Sequence, residues 1–289
     1  MSSGLKESRV RSIGGNSGSD GPTCWWYRTP LKRGALAGLR RMMRIMGEIL
    51  RNMKLAIFDI DGTLTNTNSV DDECFVKALA ESHDITEIDT DWATYPHTTD
   101  SGITRHIFQQ KLGRNPEETE LGKFKSCFVK MLGKQYKSNS SSFVEIAGAS
   151  IALNRLKRES DWAVAIATGC WRESALLKLR AAKIDIDGLP TAYAEDGLSR
   201  QEILQAAVLR SLDQHRLSNF GKIVSIGDGL WDVCTARRLN FTFLGVGCGE
   251  SAAMLHQAGA KFVIENFADY SRLVSYLNRA EIPTVECFR

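Results

Sequence analysis

Several things are missing from this chain, and each absence narrows the reading. No apolar run approaches the ~18 residues of a membrane-spanning helix, so the sequence carries no transmembrane signal. No Cys-x-x-Cys pair occurs among the seven cysteines, at 24, 74, 127, 170, 234, 248 and 287. Their odd number and scattered spacing argue against a zinc site or a disulfide framework, and for a reducing compartment. The five histidines show no ligand spacing. Gly-x-x-x-x-Gly-Lys-Ser/Thr, His-Glu-x-x-His and Gly-x-Ser-x-Gly are all absent, which removes the common nucleotide, zinc-protease and serine-hydrolase motifs.

Charge of one sign is scarce over most of the chain. The net charge of +3 is concentrated in residues 1–52, with ten Lys/Arg against three Asp/Glu, while the remainder carries 27 against 31. The body is mildly acidic and offers no basic face to nucleic acid. Residues 1–52 read as a disordered Ser/Gly-rich and basic extension, with Met53 as the start of the folded body. Their Arg-rich, acid-poor character also fits an organelle transit peptide, or attraction to an anionic membrane. The expected location of the folded body is cytoplasmic, without membrane contact.

With 43% hydrophobic and 25% charged residues, the chain can bury one large core or two small ones. From residue 143 onward, short apolar runs alternate with helical patterns: strands at 163–167, 222–226, 241–246 and 262–264, separated by helices at 172–182, 199–215, 231–239 and 252–258. This alternation implies a parallel sheet with helical crossovers. Between the first strand, 55–58, and this region lie about seventy residues of helical pattern, at 70–82, 101–112 and 117–136, with Pro116 at a helix start. The expected architecture is α/β: a Rossmann-like parallel sheet with helices on both faces, formed by 53–66 and 143–289, plus an inserted α-helical cap at 67–142.

The chemistry gathers at strand ends. Lys54-Leu-Ala-Ile-Phe-Asp59-Ile-Asp61-Gly62-Thr63-Leu64-Thr65 ends an apolar run in two carboxylates. On an extended backbone a spacing of two sends both side chains the same way, where they can share a cation. A metal or a retained proton makes such a pair tolerable, and either is useful for phosphoryl transfer. An arbitrary Asp-x-Asp is more often a solvated turn. Here three further segments lie downstream. The strand 163–167 ends in Thr168-Gly169, a hydroxyl and a small residue before a helix, suited to cradling phosphate. Ser199 and Glu202 form a capping box that opens a helix at Arg200, whose guanidinium suits phosphate; Lys183 is the rival cation. Gly227-Asp228-Gly229-Leu230-Trp231-Asp232 ends the strand 222–226 in oxygen ligands of the kind Mg²⁺ prefers.

Together these four segments resemble the motifs of the haloacid dehalogenase superfamily, in its order, over Met53 to about Asp269. The resemblance implies that Asp59 is the nucleophile and Asp61 the acid and base, with its main-chain carbonyl on the metal. Thr168, Gly169 and Arg200 would hold the phosphoryl group, and Asp59, Asp61, Asp228 and Asp232 the Mg²⁺. The third motif is more often Lys than Arg, and Asn66 stands where many relatives carry Asp. Dehalogenase and phosphonatase relatives usually lack the second Asp, so Asp61 favours phosphate esters. The expected activity is a Mg²⁺-dependent phosphatase acting on a small phosphorylated metabolite, as monomer or homodimer. The alternatives are a phosphomutase or a non-catalytic phospholigand-binding protein.

Overall fold

The computed structural model describes residues 53–159 and 161–284. The reading of 1–52 as an extension lies outside the described residues. Six parallel strands form one sheet in the order β3-β2-β1-β4-β5-β6. They are β1 (Lys54–Phe58), β2 (Trp162–Ala167), β3 (Thr191–Ala192), β4 (Lys222–Gly227), β5 (Thr242–Val246) and β6 (Val263–Ile264). The crossovers are helices α5 (Arg172–Ala181), α6 (Arg200–His215), α7 (Leu230–Arg238) and α8 (Gly249–Gln257). Helix α4 (Ala149–Leu156) precedes β2, and α9 (Tyr270–Arg279) follows β6.

Period-two geometry explains why both sheet faces are dry. Ala56 and Phe58 of β1 point to one face, where they pack with Leu153 and Leu156 of α4, Leu179 of α5 and Leu273 of α9. Leu55 and Ile57 point to the other, against Ile203, Leu204 and Ala207 of α6. A strand buried on both sides reads as an unbroken apolar run, which is what 55–58 and 163–167 present; in β4 the run is shorter, with Lys222 at its open end and Ser225 within it.

Between β1 and α4 the chain forms α1 (Asn68–His83), α2 (Asp100–Leu112) and α3 (Glu118–Ser138). They close around a core of their own, in which Phe75 meets Phe124 edge-on at 4.9 Å and Phe128 at 5.6 Å. Trp171, at the head of α5, joins that aromatic cluster and links the helical segment to the sheet. Helix α3 begins at Glu118, one residue later than the expected span of 117–136. Glu117 is its N-cap, completing a capping box with Glu120, so Pro116 lies just outside. Cys74, Cys127, Cys170 and Cys248 are free thiols, as expected, but Cys234 is disulfide-bonded. Among the described residues no helix is long and apolar enough to cross a membrane.

Candidate active site

The pairing register assembles the site. Phe58 lies opposite Ile226 of β4 and Ile166 of β2, so the residues that follow all three strands emerge side by side. This is the crevice at the carboxyl ends of a parallel sheet, where open α/β folds bind ligands. Asp59 is anchored there by its N–H, which donates to the Ile226 carbonyl at 3.0 Å. Its side chain is 6% exposed. Arg200 Nη1 lies 3.1 Å from Asp59 Oδ2, while Asp59 Oδ1 is buried and has no hydrogen-bond partner.

Asp228 and Asp232 complete an acidic cluster with Asp59. One carboxylate oxygen from each of the three lies within 4.8 Å of the others. Asp232, in the first turn of α7, is aimed by the Gly229 N–H, which donates to its Oδ2 at 3.1 Å; its Oδ1 lies 3.4 Å from Arg200 Nη1. Asn68 Nδ2 donates to Asp228 Oδ2 at 2.9 Å. Burial, reinforced by the charge of Asp59, pushes the Asp228 carboxyl up to about 7. Burial likewise raises Asp232 well above the carboxylate range, against the opposing pull of Arg200. Two buried carboxylates and a partly buried third with a single guanidinium, and one oxygen left without a donor, are the environment a hard divalent cation relieves.

Gly62 makes the approach of Asp228 possible. Its φ is +66°, and a Cβ there would sit 1.9 Å from Asp228 Oδ2. Gly62→Ala combines a left-handed backbone with that collision, and is expected to cost about 2 kcal/mol. Thermal unfolding of the variant measures the loss, and a midpoint unchanged within 1 °C or so would contradict it.

The expectation that Asp59 and Asp61 share a cation through their side chains does not hold. The strand ends at Phe58, and the N–H groups of Thr63, Leu64 and Thr65 all donate to the Ile60 carbonyl. That turn swings the Asp61 carboxyl into a second cluster, with Asp71 and Cys170. There Asp61 Oδ2 accepts from Lys178 Nζ at 2.6 Å and from Cys170 Sγ at 2.8 Å. Asp61 Oδ1 accepts from the Thr67 hydroxyl. Burial alone would raise Asp61; the Lys178 ammonium and the hydrogen bonds from Cys170, Lys178 and Thr67 outweigh it and hold the carboxyl below its usual range. Lys178 also reaches Asp71 Oδ1 at 2.6 Å, and its side chain is 0% exposed. Burial opposes its charge, yet Asp61 and Asp71 raise it well above an ordinary lysine.

Thr168 and Gly169 follow β2 as expected. Thr168 is buried, its N–H donates to the Ala192 carbonyl at 3.1 Å, and its Oγ1 accepts from the Cys170 N–H at 3.2 Å. Gly169 lies tight against Arg200, whose Nε would stand 2.8 Å from a Cβ at that position. Arg200 Nε donates to the Thr98 carbonyl at 2.9 Å. The rival cation does not reach the site: Lys183 is exposed beyond the end of α5, with a φ of +60°. Lys178, Cys170 and Asp71 were missed as a group. The available signal was periodicity, since Lys178 falls on the inward stripe of α5 with Ser174, Ala175 and Leu179.

The family model of haloacid dehalogenase-like hydrolases matches residues 56–246. No curated protein matches the sequence. Among solved structures, the chain is similar to a hydrolase from Pseudomonas syringae, with 21% identity and a TM-score of 0.58, covering 78% of this chain and 97% of that one. It is similar to a phosphonoacetaldehyde hydrolase-like protein from Oleispira antarctica, at 17% identity and TM-score 0.57, covering 78% and 93%. It is also similar to a predicted phosphoglycolate phosphatase from Haemophilus somnus 129pt, at 18% identity and TM-score 0.51, covering 77% and 98%. At these identities the structural likenesses show the fold alone. The family match takes in β1, the helical segment, β2, β4 and the acidic cluster: this chain belongs to the haloacid dehalogenase-like hydrolases.

Proposed function

We propose that this protein is a Mg²⁺-dependent phosphatase that hydrolyses a small phosphorylated metabolite through an aspartyl-phosphate. The observation that carries this reading is the state of Asp59. One oxygen of a nine-tenths buried carboxylate is fixed by Arg200, and the other has no partner and stands in an acidic cluster. Asp59, Asp228 and Asp232 fit Mg²⁺ in donor type and spacing, with the Asp61 carbonyl as a further ligand implied by the family resemblance. The ion would supply charge neutralisation, letting a carboxylate approach a phosphate dianion.

The chain's own residues do the rest. An Asp59 oxygen attacks phosphorus as the bond from phosphorus to the alcohol oxygen breaks. Arg200 offsets the negative charge on the transferring group. Lys178 holds Asp61 ionised, so the departing oxygen takes its proton from solvent, and the Asp61 carboxylate accepts the proton of the water that cleaves the aspartyl-phosphate and passes it to solvent. The balance is ester plus water giving alcohol plus phosphate. Thr67, Cys170 and Lys178 orient Asp61, and the helices of residues 68–138 serve as the cap that excludes bulk water. A phosphomutase would share the first step, and would be distinguished by returning the phosphate to a product instead of releasing it.

The test is hydrolysis of an aryl phosphate with Mg²⁺ and with a chelator. Mg²⁺-dependent release of inorganic phosphate supports the reading, and its absence for every ester offered sinks it. The acidic cluster adds a pH signature. Asp228 holds its proton up to about 7, and a cation must displace it. The half-saturating Mg²⁺ concentration is therefore expected to rise by about tenfold from pH 8 to pH 6, about fivefold of it between pH 7 and pH 6, and to level off above pH 8. A half-saturation point independent of pH over that range would contradict the assignment of Asp228 as a ligand.

A further inference from the structure

A cavity of about 140 Å³ opens between the sheet and the helical segment, directly beside Arg200 and Gly169. Its walls are unusual in charge. Asp61, Asp71, Asp72 and Asp100 all line it, and Arg200 is the sole cation among the lining residues. That guanidinium is already engaged by Asp59 at 3.1 Å, by Asp232 at 3.4 Å and by the Thr98 carbonyl at 2.9 Å. Lys178 stands behind the wall, fully buried and held between Asp61 and Asp71. A second anionic group on a substrate, such as a carboxylate or another phosphate, would enter among carboxylates and meet no uncommitted cation in the wall.

The same wall suits a positive charge. Trp92 and Phe75 meet edge-on with ring centres 5.7 Å apart. Trp92 Nε1 donates to Asp72 Oδ1 at 2.8 Å, which fixes the indole and the carboxylate as one unit. An aromatic face beside a carboxylate is the chemistry that recognises an ammonium group. A separate feature points to an occupant. Trp231 lines the cavity, and its buried Nε1 has no acceptor, as Asp59 Oδ1 has no donor. An indole N–H that is buried without an acceptor, on a side chain lining the cavity beside Arg200, is a donor that a substrate oxygen would satisfy. The volume limits the alcohol to a few heavy atoms, well below the 300 Å³ or so of a drug-sized site.

We infer, on the strength of the phosphatase reading, that the substrate is the phosphomonoester of a small amino alcohol. Its phosphate sits at Asp59, and its ammonium between the Asp72 carboxylate and the Trp92 ring. The reaction is the hydrolysis written above, with the amino alcohol as the group that leaves.

The experiment compares four esters on the full chain with Mg²⁺: p-nitrophenyl phosphate as reference, then 2-aminoethyl, ethyl and carboxymethyl phosphate. The kcat/KM for 2-aminoethyl phosphate is expected to exceed that for ethyl phosphate by about tenfold, the scale of a desolvated cation–π contact. Carboxymethyl phosphate should fall below ethyl phosphate by a similar factor, from like-charge repulsion. In Asp72→Asn and Trp92→Leu the ratio of aminoethyl to ethyl ester should drop toward one. A ratio cancels any general loss of active protein, so a folding defect does not mimic the effect. Turnover of the aryl ester with no preference for the ammonium, or with carboxymethyl phosphate the best alkyl ester, overturns the inference and leaves the phosphatase standing. Turnover of no ester at all overturns both.

Discussion

Asp59→Asn is expected to remove turnover while leaving the fold intact. On the proposed mechanism an amide cannot form the aspartyl-phosphate, and loss of a nucleophile from a covalent mechanism costs about 10⁴-fold or more in kcat. The fold should tolerate the change for a reason visible in the geometry. Asp59 shares its cluster with Asp228 and Asp232, all within 4.8 Å, so the substitution removes a like charge from a crowded site. Arg200 is not stranded: Asp232 Oδ1 remains 3.4 Å from its Nη1, and loss of the Asp59 charge that helps raise Asp232 favours its ionised form as the new counter-charge. The variant should therefore unfold at the same temperature as the parent or slightly higher, while its Mg²⁺ affinity falls with the lost ligand. Stopped assays on an aryl phosphate, paired with thermal unfolding, separate the two effects. Residual turnover within tenfold of the parent would mean that another group attacks phosphorus.

Much of this arrangement could be read before the structure was known. The apolar runs of β1 and β2 are continuous because both sheet faces are covered, that of β4 is broken only by Ser225, and each leads into the residues of the candidate site. Parallel pairing in register then does what no single segment shows: it places Asp59 and Asp228 at the same edge. Strand β3 escaped notice because it is two residues long and, unlike the equally short β6, lies in no apolar run. Thr191 and Ala192 carry no pattern of their own, and become a strand only by pairing with Ile166 and Ala167. Asp61 was misplaced for a related reason. The rule of alternation holds only as far as the strand does, and the turn around the Ile60 carbonyl intervenes. Lys178 was the larger omission. Lysines are almost never fully buried unless paired, and its partners lie 117 and 107 residues away in sequence. A charge on an inward helical stripe is a local signal; which carboxylates satisfy it is not.

That same burial sets the size of the second expected effect. Lys178→Met should destabilise the protein by about 3 kcal/mol, because it leaves the largely shielded carboxylates of Asp61 and Asp71 without their counter-charge. For a chain of this size that is a fall of roughly 10 °C in the unfolding midpoint. The pH dependence gives the mechanism away. In the parent, Lys178 holds Asp61 below its ordinary value, so that contribution is fully present above an unfolded carboxyl's range and is lost as pH falls through the folded value. Burial already raises Asp71 in the parent against the pull of Lys178; in the variant Asp61 rises as well and Asp71 further, and the folded state takes up protons that the unfolded state releases. Its stability should then recover as pH falls, so the gap between parent and variant narrows from pH 8 to pH 5. Adding Asp71→Asn to Lys178→Met removes one of the two stranded charges and should restore part of the loss at pH 8. Denaturant unfolding of the three proteins at both pH values decides the matter. A gap that stays constant with pH, with no rescue from the second substitution, would show that Lys178 matters for its packing and not for its charge.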